Sequence, residues 1–488
     1  MTDFATTMNY IILLMQAISD SITRFLVQQK LTVERHQREQ QQQQRQQPGS
    51  LSWRLIIFNL NICLAAYKAW KKILNLILGV STLDRLCRIG FLEDVRSRKN
   101  DCATELAFRR SMTRRAVWLI DCELILSTEL AGQVGSMRHY GITAANSNEK
   151  NGPNNERMQE AQKIAKSICV CKRITISGGV NFAYSFLTRA VEQIMLMDKV
   201  FADVAAECRT AVPLMTTAAT DTVTNHSNGL TDEILVEIWN SMHEHAAWRA
   251  ATMAHGKKDS RGRGGRNWIT LGFQGLDPAS DFRGTGMFGL NVLHAFAAWH
   301  ASRAVTVVLE SGSAAADDDA DAVLRPWYAA ALAVIHVASF VARACSEGQL
   351  RLWMLSCMTP TTAAKDEDKE EAQLWTLLLS LSCFLMSEFH AYWMHAVRQG
   401  MVKSVMDFEQ CFTRFCKQMI CRLQQRPLAW NRSLITISGM TSLKLHGSSG
   451  EYVISNVPQD LQGFANYFQV FDDITGRDHQ DRKQDKQD

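Results

Sequence analysis

Three glycines near the middle of the chain have the spacing of a nucleotide-binding motif. Gly284, Gly286 and Gly289 spell G-x-G-x-x-G, and Glu310 follows near where a ribose-binding acid is expected. This fingerprint needs an apolar strand directly before the first glycine, but residues 277–283 read DPASDFR. A proline among polar residues is typical of a turn and a helix N-cap, and no βαβ alternation surrounds it. The sequence therefore argues against a dinucleotide fold, and it contains no P-loop.

Histidine pairs are the next candidates, because imidazole is a common metal ligand. His243 stands close to His245, and His390 stands close to His395. Neither pair has a third ligand at a recognised spacing, and the HExxH motif is absent. The pattern favours solvated histidines or histidines at the edge of the core.

The cysteines give no sign of a metal site or of a disulfide framework. There are 13 of them, an odd number without a CxxC pair, which suits a reducing compartment. Cys411, Cys416 and Cys421 recur at a spacing that walks around a helix, so we interpret them as small core residues. The sequence thus predicts no metal and no cofactor.

The stretch from residue 268 to 293 carries the most specific pattern and reads WITLGFQGLDPASDFRGTGMFGLNVL. It resembles the central motif of the ELMO domain (engulfment and cell motility family), W-x3-G-F-Q-x3-P-x-[ST]-D-F-R-G-x-G. Ser280 and Thr285 are mild departures from that motif. The flanking segments 234–242 and 386–408 are also similar to helices of the family. The matching motif residues are Trp268, Gly272, Phe273, Gln274, Pro278, Asp281, Phe282, Arg283, Gly284 and Gly286.

The resemblance implies an activity on a partner protein rather than a reaction of the chain's own. The large scaffolding members of the family work with Dock-type exchange factors and lack the arginine of this motif. The small members keep it and resemble GTPase-activating proteins for Arf and Arl GTPases. Because Arg283 is present, we expect it to be catalytic, acting in trans on GTP hydrolysis. The alternative is a non-catalytic adaptor that binds a small GTPase or a Dock-type exchange factor.

A guanidinium is suited to that task because hydrolysis develops charge on the transferring phosphoryl group. An arginine supplied by a partner is worth roughly 10³ to 10⁵ in rate, and lysine lacks its planar, always-charged fork. If Pro278 or Asp281 opens a helix, Arg283 lies in its first turn, where the helix dipole disfavours a cation. The structural alternative is that Arg283 pairs with Asp277 or Asp281 and fixes the turn.

The other motif residues divide into core and supporting positions. We expect Gly284 and Gly286 to allow close backbone approach or tight helix packing. Gln274 and Asp281 are expected to orient Arg283 or to touch the GTPase, and structural capping is an equal alternative. The residues expected in the core of the motif are Trp268, Gly272, Phe273, Pro278 and Phe282.

Composition places these motifs in an all-α protein. The 488 residues include only 8 proline and 27 glycine, and 46% of them are hydrophobic. The net charge of +4 is too weak to argue for nucleic-acid binding. The longest apolar run is broken by asparagines and is too short to span a membrane, which needs about 20 residues. The start of the chain makes a poor signal peptide, so we expect a cytoplasmic protein.

The pattern divides the chain into four parts. We predict an N-terminal helix with a Gln-rich linker over 1–52 and a helical region over 53–228. An ELMO domain is predicted over 229–426, followed over 427–488 by an extension with a disordered tail. The acidic insertions 311–321 and 359–371 are predicted to be mobile surface loops.

Residues 53–79 mix aromatic, aliphatic and basic side chains. One interpretation is a buried helix pair. The other is a segment that makes peripheral contact with a membrane, because aromatic and basic residues together suit the membrane interface. Both interpretations remain open from the sequence.

Overall fold

The fold is seen in a computed structural model of the chain. The structure describes residues 22–23, 25–34, 51–78, 81, 83–84, 86–87, 116–127, 130, 132, 135, 153–172, 174, 182–213, 225–253, 266–312, 326–357, 367–425, 443–447 and 450–454. The predicted Gln-rich linker, most of the insertion 311–321 and the C-terminal tail lie outside these residues.

The predicted all-α class is confirmed. The α-helices include α1 (Leu51–Leu78), α2 (Pro153–Cys171), α3 (Phe182–Arg209), α4 (Asn225–His243), α5 (Ala246–Met253), α6 (Gly286–Trp299), α7 (Ala301–Glu310), α8 (Ala330–Ser346), α9 (Arg351–Cys357), α10 (Glu367–Arg398) and α11 (Phe408–Gln425). Shorter 3-10 helices lie at Trp268–Leu271, Pro278–Gly284 and Val405–Asp407. Within the extension after 426, β1 (Leu443–Gly447) pairs with β2 (Gly450–Ile454) in an antiparallel hairpin.

The chain forms two compact units. The first contains residues Met1–Lys199 and Cys345–Lys365, and the second contains Val200–Ala344 and Asp366–Asp488. The boundaries of these units differ from the domain limits 53–228 and 229–426 that the sequence predicts. The predicted limits describe regions of the sequence rather than compact units, and they stay predictions.

A buried arginine joins the separated parts of the first unit. Arg351 in α9 donates through Nε and Nη2 to the two carboxylate oxygens of Asp121, at 2.8 and 2.6 Å. Its Nη1 also donates to Asp198 in α3. Because a buried charge is tolerated only when it is paired and hydrogen-bonded, this clamp holds the described residues 345–357 against residues far away in sequence.

Helix α6 is the centre of the second unit. Every residue from Gly286 to Trp299 is buried except Ala298. A helix that is apolar on all sides must be surrounded by protein, and α6 packs against α4, α7 and α10. The second 3-10 helix, Pro278–Gly284, leads directly into it.

Some element boundaries are not readable from the sequence. Helix α4 begins at Asn225, although residues 225–228 are polar and give no periodic signal. Residues 367–371 form the start of α10 rather than a loop, since acidic side chains favour a helix N-terminus. Helix α2 begins at Pro153, a residue that the first helical position tolerates.

One described helix does meet the length and hydropathy of a membrane span, in contrast to the expectation from sequence. It is Glu370–Arg398 within α10, and 78% of its most apolar window is buried inside the protein. That burial is what the core helix of a globular unit shows.

Candidate functional site

The motif region begins with a well-capped 3-10 helix. Asp277 is extended, and its side chain accepts a hydrogen bond from the Ala279 backbone N–H at 3.1 Å. Pro278 occupies the first helical position, where its missing N–H costs nothing. The turn and N-cap expected from DPASD are therefore present.

The burial of this helix has a period of three. Ala279, Phe282 and Thr285 are buried, whereas Arg283 and Gly284 are exposed. A 3-10 helix has three residues per turn, so side chains three positions apart share a face. The helix thus turns one face into the core and presents Arg283 on another.

The expected position of Arg283 in a first helical turn is wrong. Arg283 lies in the last turn of the 3-10 helix, and α6 begins three residues later. The expectation failed because the segment forms a separate short helix before α6. A cation near a helix C-terminus interacts favourably with the helix dipole, so the charge is locally compatible with this position.

The Arg283 side chain is held by the backbone. Its Nε donates to the Ser280 carbonyl at 2.9 Å. Within the described residues, neither Asp277 nor Asp281 forms an ion pair with it. Asp281 instead accepts from the Gln274 backbone N–H at 2.9 Å. The turn is therefore fixed by Asp281 and Asp277, while the terminal nitrogens of Arg283 form no hydrogen bond with any described residue.

A series of aromatic ring contacts supports the motif. The Trp268 ring lies 5.3 Å from Trp239 of α4 and 5.7 Å from Phe273, between ring centroids. Phe273 in turn lies 6.0 Å from Phe282. These edge-to-face contacts are typical of buried aromatic pairs. Trp268, Phe273, Phe282 and Pro278 are all buried.

Two glycines are required by close backbone approach. Gly272 has φ of 90°, and a Cβ there would lie 2.5 Å from the Ala330 nitrogen. Gly286 has φ of 50°, and its Cβ would lie 2.3 Å from the Glu207 carbonyl oxygen. Gly284 differs from both, since a Cβ added to it would meet nothing within 4 Å.

A buried carboxyl group behind Gly286 gave no signal in the sequence. Glu207 near the end of α3 accepts from Asn291 Nδ2 of α6 at 3.2 Å. Burial raises the pKa of Glu207 to about 8, with a further rise from Asp203, against a lowering by the Asn291 hydrogen bond. The contact joins positions 84 residues apart, so no local pattern indicates it.

Apolar side chains flank the motif at the surface. Ile269 on the first 3-10 helix and Leu276 just before Asp277 are each 47% exposed. Gln274, expected to support Arg283, is exposed between them in sequence. Exposed Ile and Leu in the same motif segment as an exposed arginine are residue types typical of protein interfaces, whose cores are apolar and rich in arginine.

The histidines expected to be solvated or at the core edge serve as structural groups. His243 stacks on Trp239 at 3.6 Å, and His390 is buried between Tyr328 and Glu310, with hydrogen bonds of 2.7 Å to each. Within the described residues, no group of three His, Cys, Asp or Glu side chains is arranged to hold a metal ion.

The cysteine interpretation is right at two positions. Cys411 and Cys416 are buried, and burial raises the pKa of both thiols. Cys421 is exposed, so its assignment to the core is wrong. Its position on α11 falls outside the buried face because a five-residue spacing rotates around the helix.

Comparison with known proteins places the motif in a family. The model of the ELMO/CED-12 family matches residues 215–412, which include the whole motif region. The resemblance noted from the sequence is thereby confirmed for this part of the chain. No solved structure gives a significant match.

Curated ELMO domain-containing proteins are similar to part of the chain. ELMO domain-containing protein 1 of Bos taurus is 26% identical over 171 residues, which cover 34% of this chain and 48% of the relative. ELMO domain-containing protein B of Dictyostelium discoideum is 48% identical over 48 residues, 10% of this chain and 17% of the relative. The match to ELMO domain-containing protein 1 thus spans about half of that relative's length.

Proposed function

We propose, from the premise that residues 215–412 form an ELMO/CED-12 domain, that the protein accelerates GTP hydrolysis on a small GTPase. The partner would be of the Arf or Arl class, and Arg283 would be the residue supplied in trans. The observation that carries the proposal is the state of Arg283. It is exposed, anchored by Nε to a carbonyl of its own helix, and not engaged by the neighbouring carboxylates.

Such an anchor suits a group that must act on a transition state. Holding Nε to the Ser280 carbonyl restricts the side chain before the partner arrives, which lowers the entropy lost on binding. The terminal N–H groups then meet the charge that develops on the phosphoryl oxygens. The partner's own site supplies the nucleotide and the attacking water.

The composition of the exposed motif residues supports a protein partner. Ile269, Gln274, Leu276 and Arg283 are all exposed in this segment of the chain. Arginine together with apolar side chains is typical of protein interfaces. The same surface would equally serve an adaptor that binds a small GTPase or a Dock-type exchange factor without changing its chemistry.

Single-turnover GTP hydrolysis on a panel of Arf and Arl proteins tests the proposal. We expect Arg283→Lys to lower the stimulated rate by roughly a factor of 10³. Binding to the GTPase loaded with a non-hydrolysable analogue should change far less, because the interaction is made mainly in the transition state. The melting temperature should stay close to that of the wild type, since exposed substitutions cost within about 0.5 kcal/mol.

Arg398→Lys is a matched control. Arg398 is also exposed, and its Nε also donates to a carbonyl of its own helix, that of Met394 at 3.2 Å. This variant should keep full stimulation. Wild-type protein that binds a GTPase of the panel without accelerating hydrolysis would establish the adaptor instead, and a fully active Arg283→Lys protein would remove Arg283 from the catalytic role.

A further inference from the structure

Helix α1 has an inner face that is bonded to other residues of the first unit. The Tyr67 hydroxyl donates to Glu123 at 3.2 Å, and Lys71 forms an ion pair with the same carboxylate. The Tyr67 hydroxyl also lies 3.2 Å from the Thr23 hydroxyl, and Leu60 is buried. The interpretation of residues 53–79 as a buried helix pair is wrong for the described side chains, because most of them outside this inner face are exposed.

The opposite side of α1 carries a stripe of exposed apolar side chains, with Asn59 as a polar member near its N-terminal end. At 100° per residue, the large apolar members fall within about 120° of arc, and they extend over about 27 Å of helix. Ala65 and Ala69 fill the gap in the middle and are also exposed. The large members, with exposed fractions from 41% for Trp70 to 84% for Leu76, are Phe58, Ile62, Trp70, Ile73 and Leu76. Because Tyr67 and Lys71 hold the other side, the stripe cannot rotate inward without breaking their bonds to Glu123.

Charge distinguishes the candidate occupants of this stripe. Helix α1 contains four basic residues and no acidic residue. Lys68 and Lys72 fall beside one edge of the stripe, and both are exposed. Two copies of α1 packed against each other would bring like charges together without a carboxylate on either helix to neutralise them. A lipid bilayer with anionic headgroups is apolar inside and negatively charged at its surface. It therefore complements both the apolar stripe and the lysines beside it.

We propose that the outer face of α1 binds the surface of an anionic lipid bilayer, with the helix lying in the plane of the interface. The apolar stripe enters the boundary between headgroups and acyl chains, which is the depth that amphipathic helices reach. Trp70 suits this depth because its ring is apolar with one polar N–H. Lys72 extends its ammonium group to the lipid phosphates.

Vesicle sedimentation with the full chain tests this assignment. Wild-type protein should bind vesicles of phosphatidylcholine with phosphatidylserine more tightly than vesicles of phosphatidylcholine, and added salt should weaken the binding. Ile73→Asp combined with Leu76→Asp should lower the affinity at least about 100-fold, because two apolar side chains no longer enter the bilayer. Lys72→Gln should lower it about fivefold, the share of one basic residue near an anionic surface.

Val170→Asp is the matched control, because Val170 is an exposed apolar residue on α2 and receives the same charge. It should bind like the wild type, and circular dichroism should show the same helix content in all variants. Equal sedimentation of the wild type and the Ile73→Asp/Leu76→Asp protein would overturn the proposal. A wild-type dimer that this variant converts to a monomer would assign the stripe to a second copy of the chain instead.

Discussion

Arg283 and Glu207 differ in how far their roles can be predicted from the sequence. Arg283 lies in a gapless motif, and its type already indicates a charge-stabilising role. Its anchor on the Ser280 carbonyl and its freedom from Asp277 and Asp281 are properties of side-chain geometry, which a motif does not encode. Glu207 lies outside the motif, and only the packing of α3 against α6 makes it unusual.

Glu207 gives a prediction at this scale. With its pKa raised from 4.5 to about 8, the folded protein keeps a proton that the unfolded chain releases. The free energy of unfolding therefore falls as the pH rises from about 4.5 to about 8. Glu207→Gln removes this titration and keeps an oxygen that accepts from Asn291. We expect the variant to be more stable than the wild type at pH 8, by on the order of a few kcal/mol.

The measurement is urea denaturation of both proteins at several pH values. The difference in stability should grow across this window and be small near pH 4.5. Glu233→Gln is the control, since Glu233 is an exposed glutamate on α4 that receives the same substitution. A Glu207→Gln protein that is less stable than the wild type at pH 8 would mean that the ionised carboxylate stabilises the fold.

At the scale of elements, the spacing of apolar residues indicates a long helix such as α4 but not a short one. Ile234, Leu235, Ile238 and Met242 are buried, as their helical spacing on one face of α4 predicts. The 3-10 helix Pro278–Gly284 was predicted only as a turn and a cap, because seven residues are too few for an amphipathic pattern. Its three-residue period is visible only once its buried face is known.

The two glycines that follow Arg283 make a matched test of this element. Gly286→Ala would put a Cβ at 2.3 Å from the Glu207 carbonyl oxygen and 2.4 Å from that of Thr210, at a φ of 50°. Backbone oxygens cannot move aside as a flexible side chain would, so we expect a loss of more than about 3 kcal/mol. Gly284→Ala meets nothing within 4 Å and should stay within about 0.5 kcal/mol.

Thermal unfolding of the full chain, followed by circular dichroism, compares the two variants directly. Gly286→Ala should melt well below the wild type, and Gly284→Ala should melt close to it. Equal melting temperatures would mean that the end of α3 can move away from Gly286 without a loss of stability. The end of α3 and the start of α6 would then not be tightly packed.

At the scale of the molecule, contacts between distant segments decide the organisation. The segment Cys345–Lys365 lies inside the family match of 215–412, yet it groups with residues 1–199 through contacts such as Arg351 with Asp121. Changes in composition along the chain cannot indicate that a later segment packs with an earlier one. For α1, the sequence shows the aromatic and basic residues, but which face points outward depends on the contacts of Tyr67 and Lys71 with Glu123.

The two proposals combine in one prediction about the whole protein. If α1 binds an anionic surface and Arg283 acts on a GTPase, a GTPase tethered to that surface meets the protein at a raised effective concentration. We expect stimulated hydrolysis to be at least about tenfold faster for a GTPase held on anionic vesicles by a polyhistidine tag and a chelating lipid than for the same GTPase in solution.

Ile73→Asp with Leu76→Asp should lose this gain while matching the wild type in solution, and Val170→Asp should keep it. Arg283→Lys should be inactive in both formats, which separates a failure of catalysis from a failure of recruitment. A gain that persists in the Ile73→Asp/Leu76→Asp protein would show that another surface recruits it.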